Sequence, residues 1–315
     1  MNGQSLRRGG SFALLAFAIF ALHDSLIKVL GSGYSVFQII LFANLFAFIP
    51  TTMLMMADRK DESFRPRRPW LVTLRTVLGL MGAAGAFTAF TLLPLAEAYA
   101  LIFASPLIIT LMAVPLLGER IGPSRLIAVL VGLIGVLIVL RPGISHFGLG
   151  HAGALVAAVF GSTATIIVRL IGPSERSVVL ILFPMIGGIL AMAGIMPFVY
   201  RPVELVDLAI MASAGFLVVG GQLSIIAAYR AAPAGFVAPI QYSQIIWAIL
   251  LGYLWFDEVP DKWVVIGTAI IIASGLFIVF RERTGGRSRH KPVLGNTDVN
   301  AGTRLALQPN EIAAQ

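Results

Sequence analysis

The chain has no cysteine, which removes disulfides, thiolate metal sites and cysteine nucleophiles from consideration. Charge is scarce as well: Asp, Glu, Lys and Arg together make up 12% of 315 residues, against 58% hydrophobic ones. A soluble domain needs a polar shell over its core, and this composition cannot supply one. The sequence also lacks an HExxH motif, a paired-aspartate phosphoryl-transfer motif and a Gly-rich phosphate loop, so no metal, cofactor or lipid-modifying chemistry announces itself. A membrane enzyme acting on lipid is thereby a weaker reading, and the chain reads as a non-enzyme.

Apolar runs are what the sequence has in abundance. Mean hydropathy is +0.91. Runs of membrane-crossing length fall at roughly 12–30, 35–57, 71–93, 98–118, 122–140, 152–171, 178–199, 206–229, 234–256 and 262–280, separated by short breaks of Gly, Pro and charge. The expected fold is all-α and integral to the membrane, with ten transmembrane helices and lipid as the main solvent. Arg7 and Arg8 ahead of the Ala16-Phe17-Ala18 triplet resemble a signal peptide, but the apolar run continues through the triplet, so the segment reads as a retained first span.

The net charge of +8 does not point to nucleic acid, because the basic residues sit in the breaks rather than among exposed aromatics. Arg7, Arg8, Arg59, Lys60, Arg65, Arg67, Arg68, Arg120, Arg125, Arg169, Arg176, Arg230, Arg281, Arg283, Arg287, Arg289 and Lys291 fall on one side of a ten-span topology. Only Lys28, Arg141, Arg201 and Lys262 fall on the other. By the positive-inside rule both termini are expected in the cytoplasm of a cell whose inner membrane holds the chain. Residues 284–315 lose apolar periodicity and read as a disordered cytoplasmic tail.

The two halves resemble one another. ALLAFAIFALHDSLIKVLG from Ala13 aligns with ALVAAVFGSTATIIVRLIG from Ala154, so Lys28 matches Arg169. Pro94 then matches Pro233, Glu119 matches Glu258, and GVLIVLR ending at Arg141 matches GLFIVFR ending at Arg281. The units are placed at 1–145 and 146–283. Each holds five spans, an odd number, so the second enters the membrane from the opposite side, as alternating access requires. Small residues, Gly153, Ala157 and Gly161 on one span and Gly82 with Ala86 on another, are expected to let helices approach closely.

The stretch from Leu74 containing LPLAEA (Leu93 to Ala98), GER (Gly118 to Arg120) and RPG (Arg141 to Gly143), with its echo from Tyr229 to Pro260, resembles the EamA-type members of the drug/metabolite transporter superfamily. The resemblance implies a ten-helix secondary transporter with two inverted five-helix repeats around a central cavity, moving a small-molecule substrate as a monomer or homodimer. Many relatives carry a basic residue in the second span where this chain has Asn44, so no carboxylate-binding arginine carries over. Overall likeness to riboflavin importers makes a flavin-like vitamin the leading cargo; amino-acid export and S-adenosylmethionine transport are the alternatives.

Polar residues within spans are costly and so mark sites or fastenings. Asp24 and Lys28 stand four apart on span one, acid first, which fits a neutralising pair or a cavity role, with His23 adjacent as a group that titrates near neutrality. With Glu97 they form the candidate coupling or ion-pair set. Gln222, Gln241, Tyr242, Gln244 and Trp247, with Gln38 and Asn44 on span two, form the candidate substrate-binding set: amides to read the edge of a neutral ring and aromatics to stack on its face. The competing reading makes the same amides interhelical glue. Glu119 and Glu258 read as caps or loop partners, His146 and His151 as solvated loop residues, and Arg75 and Arg230 as snorkelling cations. Kinks are expected at Pro106, Pro115, Pro184, Pro197 and Pro239.

Overall fold

The computed structural model describes residues 3–57, 65–118, 122–141, 147–171 and 174–284, and among these every regular element is helical. The first half holds α1 (Gly3–Leu30), α2 (Val36–Ala57), α3 (Pro69–Leu92), α4 (Leu95–Ile102), α5 (Ser105–Leu117) and α6 (Pro123–Leu140). The second holds α7 (Leu149–Ile171), α8 (Ser177–Val199), α9 (Leu205–Ala231), α10 (Ala234–Val237), a 3₁₀ turn (Ala238–Tyr242), α11 (Ser243–Phe256) and α12 (Lys262–Thr284). Expectations that fell on Arg59, Lys60, Glu119, Arg120, His146 and the tail beyond residue 284 lie outside the described residues.

Among the described residues, eight helical segments are long and apolar enough to cross a membrane, α4 and α5 counting together as Leu95–Leu117. Such runs fold as helices because lipid offers backbone N–H and C=O groups no partner outside the chain. Prolines start helices where the missing N–H costs nothing, Pro69 opening α3 and Pro123 opening α6. Left-handed residues stop them. Gly118 (φ 67°) ends α5, and its counterpart in the other half, Asp257 (φ 52°), ends α11.

The interruptions do not follow the prolines one for one. Pro50, Pro115, Pro184 and Pro197 all stay inside helices. The chain breaks instead at Phe103–Ala104, just ahead of Pro106, and at the 3₁₀ turn that contains Pro239. These two breaks fall at corresponding places in the repeat, Phe103 aligning with Tyr242, and the two rings meet edge to face with centroids 5.7 Å apart.

Three seams hold the bundle: α3 on α7, α1 on α9 and α6 on α12. The largest buried cluster gathers the end of α3, most of α4, and the facing sides of α6, α11 and α12. Small residues shape the seams as expected, with one correction. Gly85, not Ala86, is the residue of α3 that abuts the backbone of Gly153, and a Cβ on either would collide with the carbonyl of the other. Gly135 and Gly267 do the same between α6 and α12. Close backbone contact substitutes for the hydrophobic force that lipid removes.

Candidate functional site

Lipid makes a buried hydroxyl or carboxylate expensive unless it is hydrogen-bonded, so a connected set of such groups buried between helices of both halves is informative. α1 brings His23 and Asp24, α4 brings Tyr99, and α11 brings Gln244; their exposures are 7%, 9%, 2% and 9%. His23 Nδ1 lies 2.7 Å from Asp24 Oδ1 and donates to it, Tyr99 donates its hydroxyl to Asp24 Oδ2, and Gln244 Nε2 donates to the Tyr99 hydroxyl oxygen at 2.9 Å. The chain of bonds therefore starts in the first half and ends in the second.

Aromatic rings wall this network. His23 lies 5.9 Å from Phe87, Phe90 lies 5.2 Å from Tyr99, and Tyr99 lies 5.6 Å from Phe103, which continues to Tyr242. Among the described residues Ser243 Oγ is buried without a hydrogen-bond partner, at the break between the 3₁₀ turn and α11 where the buried Tyr242 hydroxyl also lies. A wall of ring faces with amide, hydroxyl and carboxylate groups set into it can grip a planar polar molecule by stacking and edge hydrogen bonds. The single carboxylate adds a place for a proton or a cation.

The expected pairing of Asp24 with Lys28 is not what forms. Asp24 is taken by His23 and Tyr99, while Lys28 Nζ sits 2.6 Å from Glu258 Oε1 and also donates to the Leu93 carbonyl. Helical spacing put the two residues on one face, but Lys28 is met by the Glu258 carboxylate from the other half, while Tyr99 and His23 occupy Asp24. Glu97 pairs with His151 Nε2 at 3.0 Å, and the Gly148 N–H donates to His151 Nδ1 at 3.2 Å, so the imidazole proton sits on Nε2 and is donated to Glu97. His151 is accordingly buried on α7 and stacked beside Phe147, not solvated in a loop. Arg75 likewise does not reach for water; its guanidinium donates to the Leu180 carbonyl at 2.6 Å.

The remaining candidates scatter. Gln38 is fully buried, its Nε2 donating to the Arg201 carbonyl at 2.7 Å and its Oε1 accepting the Arg201 N–H at 3.0 Å, so both ends of its amide are spent on fastening α2 to the α8–α9 turn. Asn44 is half-buried with its amide facing Gly188 of α8. Gln222 is exposed on α9, between Gly221, which abuts Phe20, and Leu223, which lines an apolar groove of about 480 Å³ with Pro50, Met53 and Phe216. Gln241 and Trp247 are half-buried on either side of Gln244. Tyr99 was missed by sequence reading. Its signal was a phenol within an apolar helix, two residues after Glu97, where a hydroxyl must find a partner. Among the described residues no cluster of His, Asp and Glu could hold a metal ion.

The model of the EamA-like transporter family matches the chain twice, over residues 7–141 and 148–280. A riboflavin transporter from Rhizobium johnstonii is 29% identical over 236 residues, covering 73% of this chain and 76% of the relative. An S-adenosylmethionine uptake transporter from Rickettsia prowazekii is 25% identical over 281 residues, covering 88% and 94%. One solved crystal structure superposes with a TM-score of 0.57 over 91% of this chain and 100% of that one, at 20% identity, which establishes a common fold. With two family-matched repeats and a polar network at their junction, this multi-pass membrane protein belongs to the EamA-like transporter family and moves a small metabolite across a membrane.

Proposed function

We propose that the chain is a ten-span secondary transporter working by alternating access, with its two five-helix units, 1–145 and 146–283, inverted relative to one another. The observation that carries this reading is the hydrogen-bonded chain from Asp24 through Tyr99 to Gln244, which ties α1 and α4 to α11 across the two halves. A substrate that inserts between these groups trades contacts between the halves for contacts with itself, so binding and rearrangement are coupled. In this reading α10, the 3₁₀ turn and α11 form the ninth crossing and α12 the tenth. The basic residues flanking the spans support a reading with both termini in the cytoplasm, and we take the cell (inner) membrane as the site of action.

Riboflavin is the cargo we favour. Gln241 and Gln244 offer neutral donors and acceptors, Tyr99, Phe103, Tyr242 and Trp247 offer ring faces, and relatives named as riboflavin transporters lend support. One observation favours a second reading: among the described residues the partners of the Asp24 carboxylate are His23 and Tyr99, with no lysine or arginine, which suits a cationic cargo, and relatives of this chain are named as S-adenosylmethionine uptake transporters. Where the cargo is uncharged, Asp24 with His23 is the natural seat of a coupling proton, as a buried acid that can be relieved of its charge. Uptake of labelled riboflavin and labelled S-adenosylmethionine into proteoliposomes, with and without a proton gradient, decides between them. Saturable riboflavin uptake is expected; saturable uptake of S-adenosylmethionine alone would replace the first reading with the second, and transport of neither would remove both.

A further inference from the structure

At the end of the bundle where α1 finishes, one carboxylate serves two fastenings. Glu258, just past α11, accepts from Lys28 Nζ through Oε1 at 2.6 Å and from the Leu95 N–H, the first of α4, through Oε2 at 2.9 Å. Lys28 in turn donates to the Leu93 carbonyl and stands 5.2 Å from the centre of the Phe256 ring. Lys28, Leu93 and Leu95 belong to the first half, Phe256 and Glu258 to the second. The side chains of the pair are 11% and 19% exposed, so water screens them poorly and separating them strands a charge.

The position of this cluster matters as much as its composition. Lys28 lies one helical turn from Asp24 on the same face of α1, and Leu95 lies one turn from Tyr99 on α4, so the cluster sits directly over the buried polar network. Glu97 and His151 fasten α4 to α7 beside it. A permanent seam in this protein is made of glycines in backbone contact, as between Gly85 and Gly153, and that kind of contact has no reversible element. A charge pair held by two flexible side chains does.

We propose that Lys28 and Glu258 are the gating residues of transport: their pairing, with the Glu258 cap on α4, closes the path to the Asp24–Tyr99–Gln244 network from this end, and they part when it opens. The inference rests on the alternating-access reading, but it does not depend on the identity of the cargo. It assigns Glu258 two separable roles, because a glutamine at 258 still accepts from the Leu95 N–H while losing the charge that holds Lys28.

The absence of cysteine makes the test clean, since a single introduced thiol has no background. A Gln244→Cys reporter is exposed to a membrane-impermeant maleimide on the side of the membrane to which Lys28 is nearest. Slow labelling is expected with Lys28 and Glu258 in place. Glu258→Ala should raise the rate at least about tenfold, because it removes both the charge pair and the cap. Glu258→Gln should fall between, and Lys28→Met should match or exceed it. Size-exclusion and thermal-melt profiles identify folded variants; if Glu258→Ala fails to fold, the glutamine and methionine variants carry the comparison. Rapid labelling with the pair intact, or labelling at the unaltered rate in folded Glu258→Gln and Lys28→Met, overturns the proposal. Labelling needs no substrate, so a wrong cargo leaves this result standing, and failed gating leaves the uptake measurements standing.

Discussion

The α3–α7 seam and the α1–α9 seam occupy corresponding places in the two halves, yet they are built differently. Gly82 corresponds to Gly221 and Gly161 to Phe20 by the register that matches Pro94 with Pro233 and Ala13 with Ala154. In the first seam a Cβ on Gly82 would stand 3.1 Å from the Gly161 nitrogen, backbone against backbone. In the second, a Cβ on Gly221 would run into the ring of Phe20. At this matched position the duplicated unit thus sets main chain against main chain in one seam and a ring against a glycine in the other. The first has no side chain to rotate aside there; the second can yield by a rotamer change of Phe20, so relative motion of the halves is expected around Phe20 of α1 and Gly221 of α9.

The sharpest way to break this comparison is at Gly85. Gly85→Val drives a branched side chain into the Gly153 carbonyl, and overpacking of this kind costs about 3 kcal/mol or more. The expected outcome is a lowered melting temperature or loss of folded protein in detergent. A folded, fully stable variant would show that the seam is not tight. Tyr99→Phe should cost less, about 1–3 kcal/mol, because it leaves Asp24 with one donor fewer and the Gln244 amide without its acceptor. Transport should fall more than stability, and an unchanged uptake rate would remove Tyr99 from the site.

Phe20→Ala tests the yielding seam. Phe20 is only half-buried, so the cost should sit below that of a fully buried ring, about 2 kcal/mol at most. The transport rate should change while the melting temperature barely moves; the reverse pattern would make Phe20 ordinary packing. The smallest effect is expected at the rim, where Arg141 pairs with Asp261 across the α6–α12 seam. Desolvation pulls the Asp261 carboxyl upward, but the hydrogen bond and charge of Arg141 and the backbone N–H groups of Trp263 and Lys262 outweigh it, and the net direction is down. Its contribution is therefore present above the usual aspartate range and lost as pH falls through the lowered value. Arg141→Gln should change the melting temperature at neutral pH only slightly, and a large drop there would contradict a partly exposed, screened pair.

Much of the architecture was legible because lipid demands apolar runs of a set length, and the repeat was legible because both copies kept Pro94 and Pro233, and GVLIVLR and GLFIVFR. The breaks were less so. A proline marks a helix that lacks one hydrogen bond, not one that must part, and neighbours kept Pro115, Pro184 and Pro197 within helices while α4 ended at Ile102. Pro50, inside α2, drew no expectation at all.

The buried polar network was legible only in pieces. His23, Asp24 and Gln244 do meet, but the phenol that joins them, Tyr99, looks from sequence like one more apolar filler. Lys28 was matched with its helical neighbour because local spacing is visible in a sequence, whereas Glu258 approaches from the other half and only the fold brings it near. Gln38 shows the opposite failure. A buried amide can read a ligand or staple a loop, and the Arg201 backbone, which claims both its ends, is visible only in three dimensions.

The most direct test of the inverted architecture uses two thiols in this cysteine-free chain. Pro123, which opens α6, and Lys262, which opens α12, are exposed and occupy corresponding places in the repeat. Pro123→Cys and Lys262→Cys, each alone, are labelled with an impermeant reagent in sealed vesicles and again after lysis. Labelling of one only from outside the vesicle and of the other only after lysis is the result expected of inverted halves; labelling of both from the same side would contradict it.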